Sequence, residues 1–246
     1  MKKLSLRDGG TSVLGLQFLV VRGLLCSARK FRQKKFQSIK RGFIINIGDL
    51  EYLLWITSLF VRIKNVPGHI AEIGVADGRN TVLFGTLIRM YNEGSVRQYV
   101  GFDTWDGFVE RDLQKSDHLD KSRWKNFSKS SVLAHCKSAG VEHLVELFEG
   151  DAVETVPNML HNHRGKKFQA GMGRYALLYI DCNAYEPALR SMRHFWEFLM
   201  PGGLIAIDEK LQGDESSALI DFASEKDLRV ERLGSNEVPM VIVKPS

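Results

Sequence analysis

The chain has 246 residues, of which 44% are hydrophobic and 26% charged, as is usual for a soluble globular protein. This length suits one α/β domain with an extension. Cys26, Cys136 and Cys182 form neither a C-x-x-C pair nor a Cys/His metal spacing, which argues against a disulfide framework and predicts a reduced, cytoplasmic setting. Much of the basic excess behind the net charge of +5 lies in one run from Arg29 to Arg41.

Residues 1–42 are predicted to form a separate basic and amphipathic extension. The pattern predicts an amphipathic helix from about Thr11 to Phe31, too short to span a bilayer and without a signal-peptide cleavage pattern. This helix could pack on a second subunit or lie peripherally on a membrane. The basic run is interpreted as a solvated face rather than a nucleic-acid site. We predict a homo-oligomer whose interface uses the helices before residue 60, and no nucleic-acid partner.

Residues 43–246 are predicted to form the second unit, an α/β domain. Strands alternate with helices, and most strand runs are continuously apolar, which predicts a parallel sheet covered on both faces. Helices are predicted at 49–63, 80–92, 131–140, 187–199 and 215–227, and strands at 69–75, 98–105, 145–151, 175–182, 203–209, 228–234 and 238–245. The last two strands are expected to pair antiparallel at the sheet edge. The prediction is a doubly wound, mostly parallel, seven-stranded Rossmann-like sheet with its ligand site at the carboxyl ends of the strands.

A glycine turn follows the first predicted strand, in the segment "AEIGVADGRN". Gly74 permits a tight turn, and Gly78 either lets the chain pass close to a ligand or packs the helix on the sheet. The spacing G-x-x-x-G differs from the G-x-G-x-x-G of dinucleotide enzymes. Glu72 and Asp77 put carboxylates where a diphosphate would be repelled, so a ligand with a cationic amino group is favoured. A generic strand-to-helix turn is the alternative.

Acids also end the second and third predicted strands. Asp103 in "GFDTWDGF" is placed like the acid that accepts hydrogen bonds from ribose hydroxyls in nucleotide-type folds. Asp151 ends the third strand in "EGD" and could instead cap a following helix. Three successive strands that each end in an acid favour a ligand site over three independent caps.

The fourth and fifth predicted strands end in Asp181 and in the pair Asp208 and Glu209. If these strands are neighbours, the three carboxylates repel one another unless one is protonated or a cation lies among them. Oxygen-only ligands select a hard ion, magnesium or calcium. Magnesium suits a reaction in which an alcohol oxygen becomes a nucleophile, because it helps a hydroxyl lose its proton. The alternative is a turn cap at Asp208 and an isolated acid at Asp181.

Five segments together resemble the successive motifs of the macrocin O-methyltransferase family: "VPGHIAEIGVADGRNT", "GFDTWDGF", "EGDAVETVP", "YIDCNAYEPAL" and "LMPGGLIAIDE". The resemblance covers about residues 43–243. It implies a class I fold, S-adenosylmethionine (SAM) as cofactor, dependence on Mg²⁺ and methylation of a sugar hydroxyl of a natural product. The site residues it implies are Asp181, Asp208 and Glu209 as metal ligands, and Glu72, Gly74, Gly78, Asp103 and Asp151 around the cofactor.

The chain departs from the family pattern at three places. Asn183 replaces the second aspartate of an Asp-Gly-Asp-x-Tyr motif, Glu209 replaces the last aspartate of an Asp-Asp pair, and "ADGRN" replaces a Trp-Arg-Gly-Gly turn. Glutamate still binds a hard cation, although its longer side chain would move the ion. These departures bear more on the substrate than on the fold or cofactor.

The predicted reaction is an in-line methyl transfer to a hydroxyl, driven mostly by positioning. The polar segment 109–127 has the length of a lid, and His118 within it is a candidate general base. Asp181 could itself take the proton. Tyr185 and Glu186 are candidates to line the acceptor site.

Other functions are compatible with parts of the pattern. A nucleotide-dependent oxidoreductase could use the same sheet, although the missing third glycine argues against it. A nucleic-acid methyltransferase that acts on base amines is disfavoured, because "DCNAY" stands where such enzymes carry Asn/Asp-Pro-Pro-aromatic. A non-catalytic protein with a SAM-binding fold is the third alternative. The acceptor itself stays open among macrolide sugars, nucleotide-linked sugars, glycan units and catechol-like diols.

Overall fold

The computed structural model describes residues 47–114, 120, 124–162, 173–208, 213–232 and 240–246. The chain separates into two compact units, Met1–Glu51 and Tyr52–Ser246, and nearly all described residues belong to the second. The predicted helix at Thr11–Phe31 lies outside the described residues, and the boundary at residue 42 stays a prediction. Within the described ranges, no helix is both long and apolar enough to cross a membrane.

Strands and helices alternate along the described chain. The helices are α1 (Ile47–Arg62), α2 (Arg79–Met90), α3 (Glu110–Leu113), α4 (Lys129–Ala139), α5 (Ala152–Asn162), α6 (Tyr185–Trp196) and α7 (Asp214–Glu225), with a 3₁₀ turn at Glu142–Leu144. The strands are β1 (His69–Ile73), β2 (Tyr99–Asp103), β3 (Val145–Glu149), β4 (Tyr175–Ile180), β5 (Leu199–Ile207), β6 (Val230–Arg232) and β7 (Met240–Val243).

The seven strands form one sheet in the order β3-β2-β1-β4-β5-β7-β6. The first five strands pair in parallel, and β7 pairs antiparallel with both β5 and β6. The doubly wound, mostly parallel architecture predicted from the sequence is confirmed. The strand order reverses between β1 and β4, and a doubly wound sheet binds its ligand at such a reversal.

Two apolar layers bury the sheet. Helices α5, α6 and α7 cover one face through residues such as Val156, Phe195 and Phe222, and helices α2 and α4 cover the other through Phe84 and Val132. Each of these side chains, once removed from water, stabilises the fold by about 1.5–3 kcal/mol. Because both faces are covered, ligands have access to the strands only at their ends.

Three segments differ from the sequence prediction, and one of them is the short helix α3, which lies within the polar segment 109–127. Helix α6 ends at Trp196, three residues before the predicted end at Leu199, because Leu199 instead begins β5 and pairs with Tyr175. Helix α5 was not predicted, since Pro157 lies inside it and proline normally interrupts helices. Its wide apolar face, which includes Val156 and Leu160, outweighs that cost.

Candidate active site

The carboxyl ends of five strands surround a cavity of about 380 Å³, within the range of small-molecule sites. Each parallel strand contributes the residues that directly follow or end it. They are residues 74–77 after β1, Asp103 and Thr104 at β2, residues 150–152 after β3, residues 181–183 after β4, and Asp208 after β5. The strand-end acids Asp103, Asp151, Asp181 and Asp208 therefore line one cavity, as the sequence predicted.

Both glycines of the "GVADG" turn adopt left-handed backbone conformations, with φ of 89° at Gly74 and 83° at Gly78. A Cβ atom on Gly74 would overlap the backbone carbonyl oxygen of Asp181, so the turn after β1 packs directly on the end of β4. A Cβ atom on Gly78 would lie 2.5 Å from Val132 Cγ1 on α4. Gly78 thus allows helix packing, whereas contact of either glycine with a cofactor stays a prediction.

Asp103 organises the turn after β1. Its Oδ2 accepts hydrogen bonds from the backbone N–H groups of Val75 (2.7 Å) and Ala76 (2.8 Å), and its Oδ1 accepts one from Trp105 N–H (2.6 Å). Ala76 and Trp105 both have φ of 48°, a strained conformation that these bonds help to maintain. The carboxylate oxygens keep further lone pairs for a ribose hydroxyl, and that contact stays a prediction.

Glu72 lies beneath the cavity and is completely buried. Its carboxylate accepts hydrogen bonds from Asn80 Nδ2 (2.7 Å) and from the Tyr99 hydroxyl, and the Tyr52 hydroxyl donates in turn to Asn80. Burial raises the pKa of Glu72 from 4.5 to about 8, although these hydrogen bonds lower it. Glu72 does not line the cavity, whereas Asn80, which donates to it, does. Its predicted role at the cofactor is untested.

Replacing Glu72 with glutamine is expected to flatten the pH dependence of stability between about pH 4.5 and 8. In this window the folded protein binds more protons than the unfolded chain, because the pKa of Glu72 is higher in the folded protein than in the unfolded chain. The free energy of unfolding therefore falls as pH rises. Urea unfolding at about pH 5 and about pH 8 measures the slope. The exposed Glu149, changed to glutamine, is the control that should keep the wild-type slope, and an unchanged slope in Glu72→Gln would contradict the prediction.

Asp151 directly precedes α5 and forms a bidentate ion pair. Arg111 Nη1 lies 2.8 Å from Asp151 Oδ2, and Arg111 Nη2 lies 3.2 Å from Oδ1. The same Oδ1 accepts a hydrogen bond from Val153 N–H at 3.0 Å, so Asp151 also caps the helix. Of the two roles considered from the sequence, the cap is observed and the cofactor contact stays a prediction.

Asp181 and Asp208 lie side by side at the ends of β4 and β5. Burial and the negative charges of Asp208 and Glu215 raise the pKa of Asp181 well above its ordinary value. Burial also raises the pKa of Asp208, although a hydrogen bond from the Tyr179 hydroxyl (2.5 Å) and the nearby Arg79 oppose this shift. Among the described residues, none donates a hydrogen bond to the Asp181 carboxylate. Two adjacent, partly buried acids of this kind favour a cation between them.

Only part of the predicted metal site lies among the described residues. Asp181 and Asp208 are present at the cavity wall, whereas Glu209 lies outside the described ranges. Within those ranges, no group of three or more His, Cys, Asp or Glu side chains is arranged to hold a metal ion. The two aspartates offer only oxygen ligands, and this donor chemistry fits Mg²⁺. Magnesium ligation stays a prediction.

Three other predicted site residues are not brought to the cavity by the described chain. Tyr185 donates a hydrogen bond to Asp221 Oδ2 at 2.6 Å, and Glu186 pairs with Arg190 at 2.7 Å. Neither lines the cavity, so their contact with an acceptor stays a prediction. His118 lies outside the described residues, and the structure says nothing about it as a general base.

The sequence analysis missed several residues at this site. Tyr52 lines the cavity with its ring under Arg79, whose Cζ lies 3.8 Å from the ring centroid. Asp112 on α3 lines the cavity with only 7% of its surface exposed. Glu215 is buried at the start of α7 and accepts a hydrogen bond from Asn183 N–H at 2.5 Å. The partners of Tyr52 and Glu215 lie far along the chain, whereas Asp112 pairs with its neighbour Arg111. No local motif indicates any of the three residues.

Comparisons with known proteins agree with this fold. A family model described as "Methyltransferase domain" matches residues 71–209. Two solved structures of CalS11 are 26% identical. The first, described as a calicheamicin methyltransferase, has a TM-score of 0.65 over 81% of this chain and 80% of that one. The second, an apo form described as a TDP-rhamnose 3'-O-methyltransferase of calicheamicin biosynthesis, has a TM-score of 0.61 over 81% of each chain.

A third solved structure shares the fold at lower identity. The O-methyltransferase NovP is 16% identical, with a TM-score of 0.63 over 78% of this chain and 79% of that chain. At this identity the likeness concerns the fold alone. No curated protein matched the sequence.

Proposed function

Because the chain belongs to the methyltransferase-domain family and is a SAM-dependent O-methyltransferase, we propose that its acceptor is a sugar hydroxyl and that magnesium assists the transfer. The proposed metal ligands are Asp181, Asp208 and Glu209. The observation that carries the proposal is the pair of adjacent, partly buried carboxylates, Asp181 and Asp208, on the cavity wall. Such a pair is costly without a cation or a bound hydroxyl group.

The choice of a sugar is supported by one structural relative and by the sequence motifs. CalS11, 26% identical over four-fifths of both chains, is described as acting on TDP-rhamnose. The macrocin family, whose motifs the sequence resembles, also methylates sugar hydroxyls. A sugar offers neighbouring hydroxyls that can meet several carboxylate oxygens at once, which suits the acidic β4–β5 end of the cavity.

The chain's own residues would act by positioning the acceptor and accepting its proton. SAM supplies a sulfonium methyl group, and the reaction leaves a methyl ether, S-adenosylhomocysteine (SAH) and a proton. Magnesium, when bound, would stabilise negative charge on the acceptor oxygen. Asp181 is the proposed proton acceptor, because its carboxylate lines the end of the cavity at which the acceptor is proposed to bind. Glu215 would hold the 181–183 loop in place through Asn183 N–H.

The proposal predicts magnesium-assisted methylation of a nucleotide-linked sugar. The full chain would be incubated with SAM and a panel of TDP-sugars, UDP-sugars and catechol, with Mg²⁺ or with EDTA. Mass spectrometry would detect the added methyl group. We expect a methylated sugar whose yield falls by at least about tenfold in EDTA, as loss of a metal-held acceptor implies.

Two results would contradict parts of this proposal. Methylation of catechol alone would remove the sugar assignment. Methylation of a sugar at equal rates in Mg²⁺ and EDTA would remove the metal assignment while leaving the acceptor class intact. Calorimetric titration with SAH provides the check that the protein is competent to bind its cofactor product in each buffer.

A further inference from the structure

Tyr179 places a hydroxyl group next to the pair of acids Asp181 and Asp208. It lies on β4, completely buried, and pairs in register with Ala206 of the neighbouring strand β5. Residues two apart on a strand point to the same face of the sheet, so Asp208 follows Ala206 on the face that carries Tyr179. The Tyr179 hydroxyl reaches along this face and donates a hydrogen bond to Asp208 Oδ1 at 2.5 Å.

Packing fixes the ring that carries this hydroxyl. Tyr179 meets Phe84 of α2 edge-on, with ring centroids 6.0 Å apart, and Phe84 in turn stacks on Tyr99 of β2 at 6.2 Å. All three rings are completely buried. Close-packed interior rings cannot turn without displacing their neighbours, so the hydroxyl oxygen has a fixed position. The Tyr179 donor is therefore a rigid anchor for the Asp208 carboxylate.

The two acids at the cavity differ in this respect. Asp208 has a buried donor on one carboxylate oxygen, whereas no described residue donates a hydrogen bond to the Asp181 carboxylate. A carboxylate that binds a metal ion is commonly held by a hydrogen bond from a neighbouring group, which orients it and strengthens metal binding. Tyr179 supplies such a bond to a carboxylate that lines the cavity.

We propose that Tyr179 is a positioning residue, whose hydroxyl orients the Asp208 carboxylate for magnesium without contacting the metal ion or the acceptor. The inference rests on the proposed function and extends it to a residue that does not line the cavity.

Tyr175 on the same strand shows what a tyrosine with a purely structural role looks like here. Its ring belongs to the core on the opposite face of the sheet from Tyr179. Its buried hydroxyl lies 3.6 Å from Met159 Sδ, which is a weak acceptor. The strand thus carries one hydroxyl that meets an acid of the cavity and one that meets only the core.

The test is Tyr179→Phe, which removes the hydroxyl and keeps the ring. The full chain would be titrated with Mn²⁺, a hard ion that accepts the same oxygen ligands, while electron paramagnetic resonance measures the free ion. The variant is expected to bind Mn²⁺ about 10–100-fold more weakly than wild type. SAH affinity, measured by calorimetry, should stay within about threefold, because the cofactor site is unchanged.

Turnover provides a second readout, which a purely structural role would not produce. If Tyr179 orients a metal ligand, saturating Mg²⁺ should restore kcat of Tyr179→Phe to within about threefold of wild type. The Mg²⁺ concentration for half-maximal turnover should rise about 10–100-fold.

The matched control is Tyr175→Phe, which removes another buried hydroxyl from β4 and should keep the wild-type Mn²⁺ affinity. Mn²⁺ affinity of Tyr179→Phe within about threefold of wild type, or an equal loss in Tyr175→Phe, overturns the inference. A loss of SAH affinity in Tyr179→Phe beyond about tenfold also overturns it, because the hydroxyl would then support the fold rather than the metal site. Wild type that binds SAH but not Mn²⁺ would instead contradict the metal assignment in the proposed function, and Tyr179 would have no ion to serve.

Discussion

Replacing Asp181 with asparagine is expected to remove most methyl transfer while raising the thermal stability of the metal-free protein. Loss of a proton acceptor and proposed metal ligand should lower kcat by about 10²–10⁴-fold. Affinity for SAH should stay within about threefold, because Asp181 is proposed to contact the acceptor and the metal ion rather than the cofactor. The measurements are turnover of the sugar acceptor by mass spectrometry and SAH titration by calorimetry.

The stability gain follows from the sign of the pKa shift. Burial and neighbouring acids raise the pKa of Asp181 well above 3.8 in the folded protein. As pH rises from 3.8 through the raised value, the folded state binds more protons than the unfolded state, so the free energy of unfolding falls. Asparagine carries no charge, so the free energy of unfolding of the Asp181→Asn variant does not fall for this reason as pH rises. In a protein of this size, each kcal/mol gained raises Tm by about 2–4 °C, and the gain should shrink below about pH 4.

The control for Asp181→Asn is Asp227→Asn, an exposed acid after α7 that lies outside the cavity lining. It should change neither turnover nor Tm. Turnover within about tenfold of wild type in Asp181→Asn would contradict the proposed role in proton transfer and metal binding. A fall in Tm at neutral pH would show that the carboxylate stabilises the folded protein through a contact that its charge makes favourable.

Much of the fold could be predicted because parallel strands buried on both faces appear as uninterrupted apolar runs. β4 is the clearest case, with all six residues of Tyr175–Ile180 buried. Each such run ends where the chain leaves the sheet, and parallel strands end at the same edge. The acids that follow, Asp103, Asp151, Asp181 and Asp208, are therefore placed at one cavity by topology alone.

The remaining part of the site depends on contacts between distant segments. Glu215 meets Asn183 across 32 residues, and Arg111 meets Asp151 across 40. Asp112 lies on a helix of only four residues, too short to show an amphipathic period, in a segment read as a polar lid. Burial of a charged side chain is set by tertiary packing, and it leaves no local pattern in a single sequence.

Backbone strain is a second feature of the site that could not be predicted from the sequence. Ala76, Trp105 and Asn183 all adopt positive φ, at 48°, 48° and 53°, although such conformations are unfavourable for residues with a Cβ. Each lies in a turn that follows one of the three central strands at the cavity. Strain of this kind persists where surrounding contacts hold it and is concentrated at functional sites. Here the contacts are the Asp103 carboxylate for two of the turns and Glu215 for the third.

Replacing Gly74 with alanine is expected to destabilise the protein by about 2–5 kcal/mol. The left-handed φ of 89° costs a residue with a Cβ about 1–2 kcal/mol. The added Cβ would also overlap the carbonyl oxygen of Asp181, and an overlap with backbone adds about 1–3 kcal/mol because no side chain can rotate away. The predicted fall in Tm is about 4–20 °C, measured by thermal unfolding together with urea denaturation.

Gly202→Ala separates the two causes. Gly202 has a similar φ of 78°, but its added Cβ would lie 3.4 Å from Val66 Cγ2 and meet no backbone atom. This variant should therefore lose only the conformational part, about 1–2 kcal/mol, and keep SAH affinity. Gly74→Ala should lose more stability and also weaken SAH binding, because relief of the overlap moves the loop that carries Asp181. Equal losses in the two variants would mean that the β1 turn and the end of β4 are not in the close contact on which this site's geometry depends.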